Sequence, residues 1–356
     1  MTKTVTILGS TGSIGRQTLE AVEHLGLTVN ALSADKSIDL LEEQIHKFKP
    51  KYVAVYDSDA ANELKSRISD IATPVLSGMK GQLEVAHNSD ADVIVTAIAG
   101  QAGLEPTLAA LKTGKRIAIA NKEPLVCAGE LVMQTAKEHN AEIIPVDSEH
   151  SAIFQSMAGQ LNKVNAPQIN KLILTASGGP FRGMRHEQLE NITPEQALKH
   201  PNWDMGTKIT IDSATIMNKG LELIEAMHLF NMSPNQIEVV VHPESIVHSM
   251  VEFSDHSTIA QLSNPDMRQP IQYALTYPAR LPSLTKPLSL TELGKLTFEK
   301  PDMDAFPCLR LAYEAANKGQ EACAKLNQAN EEAVELFLNR KIGFNDIPRY
   351  IAERIS

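Results

Sequence analysis

The sequence predicts an α/β protein that begins with a parallel β-sheet, and three observations lead to this fold class. Short apolar segments alternate with helical patterns from Val5 to Val146. A glycine-rich turn joins the first apolar segment to the first helical pattern, and the residues from Cys308 onward show helical periodicity alone. Repeated strand–helix units wind into a parallel sheet through right-handed crossovers, so an open, Rossmann-like sheet is expected first.

The composition is that of a globular protein with two or three domains: 356 residues, 43% of them hydrophobic and 21% charged. The net charge is −10 and no Lys/Arg cluster stands out, so no nucleic-acid partner is expected. No apolar run approaches the ~20 residues of a membrane span, and the first strand starts too early for a signal peptide, so no membrane partner is expected. Three cysteines without a C-x-x-C pair indicate a reducing compartment, the cytoplasm.

The first candidate site is the turn at residues 9–15, which reads G-S-T-G-S-I-G. An apolar strand at 5–8 precedes it, and a helical pattern follows. Glycines allow a tight turn, and the helix N-terminus offers free N–H groups to a pyrophosphate. This context indicates a dinucleotide-binding turn; the alternative is a strand–helix turn without a ligand.

The end of the second predicted strand, at 29–33, carries the residues that usually set cofactor specificity. Asp35 favours the free 2′-hydroxyl of NAD, whereas Lys36 favours the 2′-phosphate of NADP. The segment through Ser37 also fits a solvated charged turn, so the residues alone leave the choice open.

Three later strands of the predicted sheet are each followed by a segment that could contribute to a binding site. Further strands are expected at 52–56, 93–98, 117–120 and 143–146. Residues 97–100, 121–123 and 147–149 stand at carboxyl ends of these strands. Ligands of parallel sheets bind outside those ends, so the three segments are expected to form one rim above the glycine turn.

Asp147 and Glu149 directly follow the last predicted strand of the sheet. In an extended chain residues i and i+2 point to the same side, so the two carboxylates would face one space and need a cation or a shared proton between them. Mg²⁺ and Mn²⁺ take oxygen ligands of this kind. The alternative is that Asp147 caps the next helix and Glu149 lies in its first turn.

Two later segments are candidates for binding a substrate. Ser177 opens a Ser-Gly-Gly turn after a strand expected at 171–175, which suits an oxyanion or phosphate but is also an ordinary turn. His200 and Trp203 lie in a loop that is either a lid over a site or a loop pinned to the core by Trp203.

A helical pattern after residue 215 carries three polar residues on one face, Asn218, Lys219 and Glu222. They fit a site for a polyol phosphate and a cation, or a surface salt bridge. His242 and His248, in strands expected at 242–253 and 257–262, are interpreted as structural rather than as ligands.

Proline density divides the rest of the chain, because five of the nineteen prolines fall within residues 278–307. The expected domains are a nucleotide-binding Rossmann-like domain at 1–150 and a central α+β catalytic and dimerisation domain with the lid loop at 151–278. A proline-rich linker at 279–307 and a C-terminal helical domain at 308–356 follow. Helices are expected there at 309–317, 320–339 and 346–355.

Nine segments of the chain, in one order, resemble the 1-deoxy-D-xylulose 5-phosphate reductoisomerase family. They run from residue 7 to residue 334 and cover the positions discussed above. They read ILGSTGSIG, ANKE, PVDSEHSAIFQ, ASGGPFR, HPNWDMG, TIDSATIMNKGLE, HPESIVHSMVEF, NPDMRQPI and LNQANEEAV. Nine motifs in order are far more specific than any single motif.

The resemblance implies an enzyme that rearranges 1-deoxy-D-xylulose 5-phosphate and reduces the product to 2-C-methyl-D-erythritol 4-phosphate, in non-mevalonate isoprenoid biosynthesis. Its cofactors would be NADPH and Mg²⁺ or Mn²⁺, and it would be a homodimer with the strand at 242–253 in the contact. The alternatives are another NAD(P)-dependent dehydrogenase of a small phosphorylated or amino-acid-derived substrate, and a non-catalytic nucleotide-sensing module.

The resemblance also implies the roles of individual residues. The metal ligands would be Asp147, Glu149 and Glu222, which with Lys122 and His200 would form the catalytic set. The substrate-binding residues would be Lys122, Ser148, Glu149, Ser177, His200, Trp203, Ser213, Asn218, Lys219 and Glu222. The cofactor-binding residues would be Thr11, Gly12, Ser13, Ile14, Asp35, Lys36, Ser37, Asn121, Glu123, Met205 and Gly206. The family usually has a glycine where Asp35 stands.

Overall fold

The computed structural model describes residues 3–87, 90–157, 169–200, 203 and 206–355. The chain divides into two compact units, each made of separate stretches. The first unit consists of Met1–Pro124, Leu131–Asp147 and Asp266–Thr285. The second unit consists of Leu125–Glu130, Ser148–Pro265 and Lys286–Ser356.

The secondary structure alternates strands and helices over the first unit and becomes helical at the end of the second. The strands are β1 (Thr4–Leu8), β2 (Thr28–Ala34), β3 (Tyr52–Val55), β4 (Val75–Ser77), β5 (Val93–Thr96), β6 (Arg116–Ile119), β7 (Glu142–Pro145), β8 (Ile169–Ala176), β9 (Ile237–Val241), β10 (Val247–Phe253) and β11 (Thr258–Leu262). The helices are α1 (Ser13–His24), α2 (Ile38–Phe48), α3 (Ser58–Arg67), α4 (Gly78–His87), α5 (Leu104–Leu111), α6 (Glu123–Glu138), α7 (Ser148–Ser156), α8 (Pro194–Ala197), α9 (Thr207–Ala214), α10 (Met217–Phe230), α11 (Arg268–Thr276), α12 (Leu290–Leu293), α13 (Cys308–Lys318), α14 (Gln320–Leu338) and α15 (Asp346–Ile355).

The first unit is built around a parallel sheet in the order β4-β3-β2-β1-β5-β6-β7. Its strands are short apolar runs that are buried almost throughout, as expected for a parallel sheet. The strand order reverses between β1 and β5, the switch point at which such sheets bind ligands. The predicted Rossmann-like sheet is confirmed, and six strands lie within two residues of their predicted bounds. The strand β4 escapes prediction because three residues are too few to show a period.

The helix α11 belongs to the first unit although it follows most of the second unit along the chain. Arg268 on α11 pairs with Glu20 of α1 at 3.4 Å, and it is held by Asp266 at 2.6 Å. On the same side of α1, a ring nitrogen of His24 lies 2.9 Å from the carbonyl oxygen of Pro282. A distant stretch of chain therefore completes the packing around α1.

The second unit contains a mixed sheet in the order β11-β10-β8-β9. The strand β10 is antiparallel to both β8 and β11, whereas β8 and β9 are parallel. One hydrophobic cluster extends from this sheet through α10 to α13, α14 and α15. The α15 helix contributes Ile347, Ile351 and Ile355, spaced four residues apart on one face. The predicted central α+β region and helical C-terminal region are confirmed.

Some local predictions in the second unit are wrong. The segment at 242–246 is not part of the predicted strand, because the Nε2 atom of buried His242 lies 3.1 Å from the backbone nitrogens of both Ile246 and Val247. The histidine side chain therefore accepts hydrogen bonds from backbone N–H groups that would otherwise bond to a neighbouring strand. The strand β9 and the helices α9 and α11 are also absent from the prediction, and α9 is rich in β-branched residues, which favour strands.

The predicted linker at 279–307 contains the short helix α12 and an isolated β-bridge between Val241 and Glu299. The compact units do not coincide with the predicted boundaries at 150, 278 and 307, since Asp266–Thr285 groups with the first unit. The four-part domain scheme stays a prediction. Among the described residues, none of the helices has the length and apolar character needed to cross a bilayer.

Candidate functional site

The glycine turn after β1 has a backbone that only glycine fits at two positions. Gly9 has a φ of +88°, and a Cβ there would lie 2.5 Å from the carbonyl oxygen of Ala97. A Cβ on Gly15 would lie 2.2 Å from the carbonyl oxygen of Gly9. The first turn of α1 therefore packs directly on the backbone of the turn, which brings both against the end of β5.

The N-terminus of α1 has the features of an anion site. Gly12 is its N-cap and no side chain caps the helix, so the N–H groups of the first turn are left for another acceptor. Gly12 and Ser13 are exposed, and Thr11 and Ile14 are half-buried. These four predicted cofactor residues lie together on one turn, and the cradle suits a pyrophosphate.

The residues predicted to set cofactor specificity lie at the end of β2. Asp35, Lys36 and Ser37 are all exposed, and Ser37 is the N-cap of α2. The β1 and β2 ends are joined here, because the backbone nitrogens of Gly9 and Ser10 donate to the carbonyl oxygen of Ser33 at 3.1 and 2.8 Å. This places the specificity segment beside the glycine turn.

The predicted rim of the first unit is assembled at the ends of β5, β6 and β7. Asn121 is buried, and its amide nitrogen donates to the carbonyl oxygen of Gly100 at 3.4 Å. Next to it, the Nζ atom of Lys122 lies 2.7 Å from Oδ2 of Asp147. Both side chains of this ion pair are largely buried, at 8% and 14% exposure. Glu123 follows as the first residue of α6.

The extended geometry predicted for Asp147 and Glu149 is wrong. The strand β7 ends at Pro145 and α7 begins at Ser148, so Glu149 lies in the first turn of a helix. The alternative prediction for Glu149 is thereby confirmed, and the i, i+2 argument does not apply. Asp147 closes a stretch of the first unit, whereas Glu149 and Glu222 belong to the second unit.

Lys219 joins the two predicted metal ligands of the second unit. Its Nζ atom lies 2.7 Å from Oε1 of Glu149 and also pairs with Oε2 of Glu222. Carboxylate oxygens of these two acids lie within 4.8 Å of each other. The amide of Asn218 donates to Oε1 of Glu222 at 2.5 Å. Ser148 donates to the second oxygen of Glu149.

Lys219 and Glu222 are buried, at 4% and 1% exposure, so the surface salt bridge considered above is excluded.

The charge of Lys219 is maintained by its two acidic partners. Burial by itself lowers the pKa of this lysine, but Glu149 and Glu222 outweigh burial and raise the pKa above its ordinary value. The half-buried carboxylate of Glu149 and the buried carboxylate of Glu222 therefore share one positive charge. Such a set of oxygen donors is what a hard divalent cation takes, so these residues fit a magnesium-type site.

Ser177 and His200 meet across the second unit. The hydroxyl of Ser177 lies 3.1 Å from Nε2 of His200 and accepts from the backbone nitrogen of Gly179 at 3.2 Å. The backbone nitrogen of Trp203 donates to Nδ1 of His200 at 3.0 Å. Burial lowers the pKa of His200, so the ring is neutral near pH 7. Because Nδ1 accepts from Trp203, the ring proton lies on Nε2, which donates to the hydroxyl of Ser177.

Trp203 lies against His248, with ring centroids 6.3 Å apart. His248 is buried and its Nε2 atom lies 2.9 Å from the hydroxyl of Ser263, which supports the structural role predicted for it. Trp203 therefore contacts the second sheet, and both interpretations of this segment, the lid and the pinned loop, stay predictions. Met205 lies outside the described residues, and Gly206 is the exposed N-cap of α9 in the second unit.

Ser213 lies beside the Ser-Gly-Gly turn. A Cβ on Gly179, whose φ is +69°, would lie 2.6 Å from the carbonyl oxygen of Ser213. Ser213 is on α9, while Asn218 and Lys219 are on the first turn of α10. The structure thus groups the residues predicted to bind a phosphate around the junction of two helices.

A buried pair behind the carboxylates was not predicted. His150 is fully buried, and its Nε2 atom lies 2.8 Å from the carbonyl oxygen of Glu222 while Nδ1 lies 3.5 Å from Glu225. This ties α7, which carries Glu149, to α10. The spacing of Glu222 and Glu225, three residues apart on a helix, was the available signal.

Three family models match the chain. The model described as 1-deoxy-D-xylulose 5-phosphate reductoisomerase covers residues 5–129. The model of its C-terminal domain covers residues 143–230, and a further model, DXP reductoisomerase C-terminal domain, covers residues 262–356. Together they span most of the chain, in order.

Two relatives of high sequence identity carry the same name. The 1-deoxy-D-xylulose 5-phosphate reductoisomerase of Ruminiclostridium cellulolyticum is 55% identical over 99% of this chain and 92% of its own length. That of Halothermothrix orenii is 52% identical over 100% of this chain and 91% of its own length.

Solved structures of such enzymes match the whole fold. A DOX-P reductoisomerase in complex with NADPH, fosmidomycin and magnesium is 46% identical, with a TM-score of 0.95 over 99% of this chain and 89% of that chain. The enzyme from Zymomonas mobilis in complex with NADPH is 42% identical, with a TM-score of 0.93 over 100% of this chain and 92% of that chain.

Proposed function

The chain belongs to the 1-deoxy-D-xylulose 5-phosphate reductoisomerase family, and from this premise we propose which residues carry its reaction. The reaction is the NADPH- and metal-dependent conversion of 1-deoxy-D-xylulose 5-phosphate into 2-C-methyl-D-erythritol 4-phosphate, a step of isoprenoid synthesis. The observation that carries the assignment is the ion-paired set of Glu149, Lys219 and Glu222 on helices of the second unit, in which Lys219 and Glu222 are buried.

The metal ligands are Glu149 and Glu222 together with Asp147, which precedes α7 by one residue. All three offer carboxylate oxygens, the ligands that magnesium prefers. When bound, the metal supplies Lewis-acid polarisation of the substrate's carbonyl and hydroxyl oxygens, and NADPH supplies the hydride. Lys122, paired with Asp147, holds that carboxylate in place and adds positive charge at the rim.

The phosphate of the substrate is bound at the junction of α9 and α10. Ser177 and Ser213 offer hydroxyls there, Asn218 offers an amide, and Lys219 offers a charged amine. Binding energy at the phosphate, remote from the reacting carbons, positions the carbon skeleton for rearrangement.

The remaining substrate contacts lie on either side of this junction. Ser148 is placed beside Glu149, where its hydroxyl can bind the sugar. Neutral His200 hydrogen-bonds a substrate hydroxyl, and Trp203 with Met205 covers the site and excludes water.

Most of the residues proposed to bind NADPH belong to the first unit. The uncapped N-terminus of α1 would hold the pyrophosphate of NADPH, and the end of β2 would hold its ribose. The cofactor-binding residues are Thr11, Gly12, Ser13, Ile14, Asp35, Lys36, Ser37, Asn121 and Glu123, joined by Met205 and Gly206 from the loop before α9.

The test is the loss of absorbance at the NADPH band with 1-deoxy-D-xylulose 5-phosphate, in the presence of Mg²⁺ or of a chelator. We expect oxidation of NADPH with the metal and none with the chelator. Oxidation that is insensitive to chelation would contradict the metal assignment. The absence of oxidation by folded protein would contradict the proposed reaction.

The substitution Glu222→Gln tests the ligand set. We expect turnover to fall by about 100-fold or more. Replacing a residue that only hydrogen-bonds to a metal ligand already lowers metal affinity or activity by about 10–100-fold, and Glu222 is proposed as a ligand itself. NADPH affinity, measured by fluorescence titration, should stay unchanged, since the glycine turn lies in the other unit. Glu353→Gln, an exposed acid on α15, is the matched control. Near-normal turnover of Glu222→Gln would remove this residue from the metal site.

We also propose that the protein is a cytoplasmic homodimer. None of its three cysteines, all within the described residues, forms a disulfide, and burial raises the thiol pKa of both Cys308 and Cys323 to about 12, which suits a reducing compartment. The strand β10 is interior, because β8 and β11 occupy both its edges. The edge that remains for a second subunit on that side of the sheet is β11, where Ile259 is 43% exposed.

A further inference from the structure

The turn between α9 and α10 has a strained backbone. Ile216 is the N-cap of α10 and has a φ of +62° and a ψ of +8°, the left-handed region. A β-branched residue rarely adopts this conformation, because its Cβ crowds the following carbonyl. The strained residue stands between Ser213 and Asn218, two of the proposed phosphate-binding residues. Strain of this kind persists only where the surrounding structure holds it.

Asp212, next to Ser213, is the residue through which the turn is held. Its carboxylate is 1% exposed. The Oδ1 atom accepts a hydrogen bond from Nδ2 of Asn330 at 2.8 Å, and Oδ2 accepts from Nζ of Lys208 at 2.7 Å. A buried carboxylate is stable only with such partners, so Asp212 fixes the last turn of α9 to whatever carries those donors.

Asn330 lies on α14 and has no exposed surface. Its amide is oriented by Asp212, since a carbonyl oxygen turned towards the carboxylate would be repelled. Lys208 is on α9 itself, four residues from Asp212, so it adds no link to another element. The bond from Asn330 therefore anchors the strained turn to the C-terminal helices of the second unit.

We propose that Asn330 is a positioning residue for the substrate phosphate: by holding Asp212, it fixes the turn that presents Ser213, Asn218 and Lys219. The inference rests on the proposed function, from which it takes the phosphate-binding residues. Loss of the bond lets the turn relax, which weakens contacts to the sugar phosphate. Apart from Met205 and Gly206, the proposed NADPH residues belong to the first unit, and Gly206 lies at the end of α9 opposite to Asp212. The effect is therefore expected on the sugar phosphate and not on NADPH.

The experiment compares steady-state kinetics of Asn330→Asp and Asn330→Ala with the wild-type enzyme at saturating Mg²⁺. Asn330→Asp keeps the shape and places a second carboxylate against Asp212. We expect the KM for the sugar phosphate to rise about 10-fold or more, with kcat within about threefold and the KM for NADPH unchanged. Gln328→Ala removes an exposed amide from the same helix and should change neither KM.

A second substitution separates positioning from general damage. Adding Asp212→Asn to Asn330→Asp restores a hydrogen bond with donor and acceptor exchanged, so the KM for the sugar phosphate should return to within about threefold of wild type. If Asn330→Asp does not fold, the test uses Asn330→Ala and the double variant. The same comparison applies: the KM for the sugar phosphate against the KM for NADPH.

Two outcomes would overturn the proposal. In one, Asn330→Asp or Asn330→Ala lowers the melting temperature but leaves the KM for the sugar phosphate as in wild type. In the other, both KM values rise together. A wild-type enzyme that does not oxidise NADPH would instead contradict the proposed function. In that event calorimetric titration of 1-deoxy-D-xylulose 5-phosphate into wild type and Asn330→Ala decides the positioning role, and equal affinities would reject it.

Discussion

One buried cation, Lys219, joins two of the acidic residues of the candidate site. Lys219 pairs with both Glu149 and Glu222, and without it these carboxylates would face one another away from water. The geometry therefore depends on positive charge between the two acids, from the lysine or from a metal. This explains why polar residues occupy α10 on its buried face, where apolar residues normally stand.

Asp35 is the residue whose charge should limit cofactor affinity. It is exposed at the end of β2, where the 2′-phosphate of NADPH is expected, and Lys36 is beside it. We predict that Asp35→Asn lowers the Kd for NADPH about threefold to tenfold, the size of one screened charge interaction near a surface. NADH lacks the 2′-phosphate and is the control ligand, and its affinity should not change. Equal effects on both nucleotides, or none, would show that Asp35 points away from the phosphate.

The sequence indicates the site residues that stand in motifs. It does not indicate the hydrogen-bonded pairs of residues, distant along the chain, that fix those motifs in place. Glycines, acidic residues and the Ser-Gly-Gly turn each indicate a chemistry by type and spacing. The bond between Asp212 and Asn330 joins residues 118 positions apart, and nothing in either local pattern points to the other. Such pairs depend on tertiary packing, as does the contact of His150 with α10.

At the scale of elements, the packing of α1 on the glycine turn leaves no space for a larger residue at position 15. A Cβ on Gly15 would meet backbone atoms of Gly9 and Ser10 at 2.2 and 2.5 Å. We predict that Gly15→Ala destabilises the protein by about 1–3 kcal/mol through overpacking and weakens NADPH binding.

The control for this prediction is in the same turn. A Cβ on Gly12 would come no closer than 3.5 Å to the carbonyl oxygen of Gly9, an ordinary contact. In thermal melts without cofactor, Gly12→Ala should therefore unfold near the wild-type temperature and Gly15→Ala well below it. A wild-type melt for Gly15→Ala would show that the helix can shift to make room.

Elements were predictable where a period or a flanking signal marked them. The strands of the first sheet are apolar runs bounded by turns, and the three C-terminal helices repeat apolar residues at helical spacing. The helix α9 was missed because Thr and Ile residues favour strands, and packing of the second unit overrides that preference. The segment at 242–246 was misassigned because a histidine side chain replaces a strand partner.

For the whole molecule, the edge strand β11 predicts the mode of association. We expect the wild-type protein to sediment at about twice the 38.9 kDa of one chain. Ile259→Lys places a charge on the exposed edge and should shift the mass towards one chain. Leu131→Lys, at a side chain that is 49% exposed on α6, is the control and should not. A dimer that survives Ile259→Lys would move the contact away from β11.

The late position of α11 has a consequence for how the chain folds on the ribosome. Every strand of the first sheet has been synthesised by Pro145, yet the helix that packs on α1 begins only at Arg268. The face of α1 that contacts α11 therefore stays exposed on the nascent first unit while more than a hundred further residues are translated. Nascent chains grow from the N-terminus at about 5–20 residues per second, so this interval lasts several seconds, long enough for a chaperone to bind the uncovered helix.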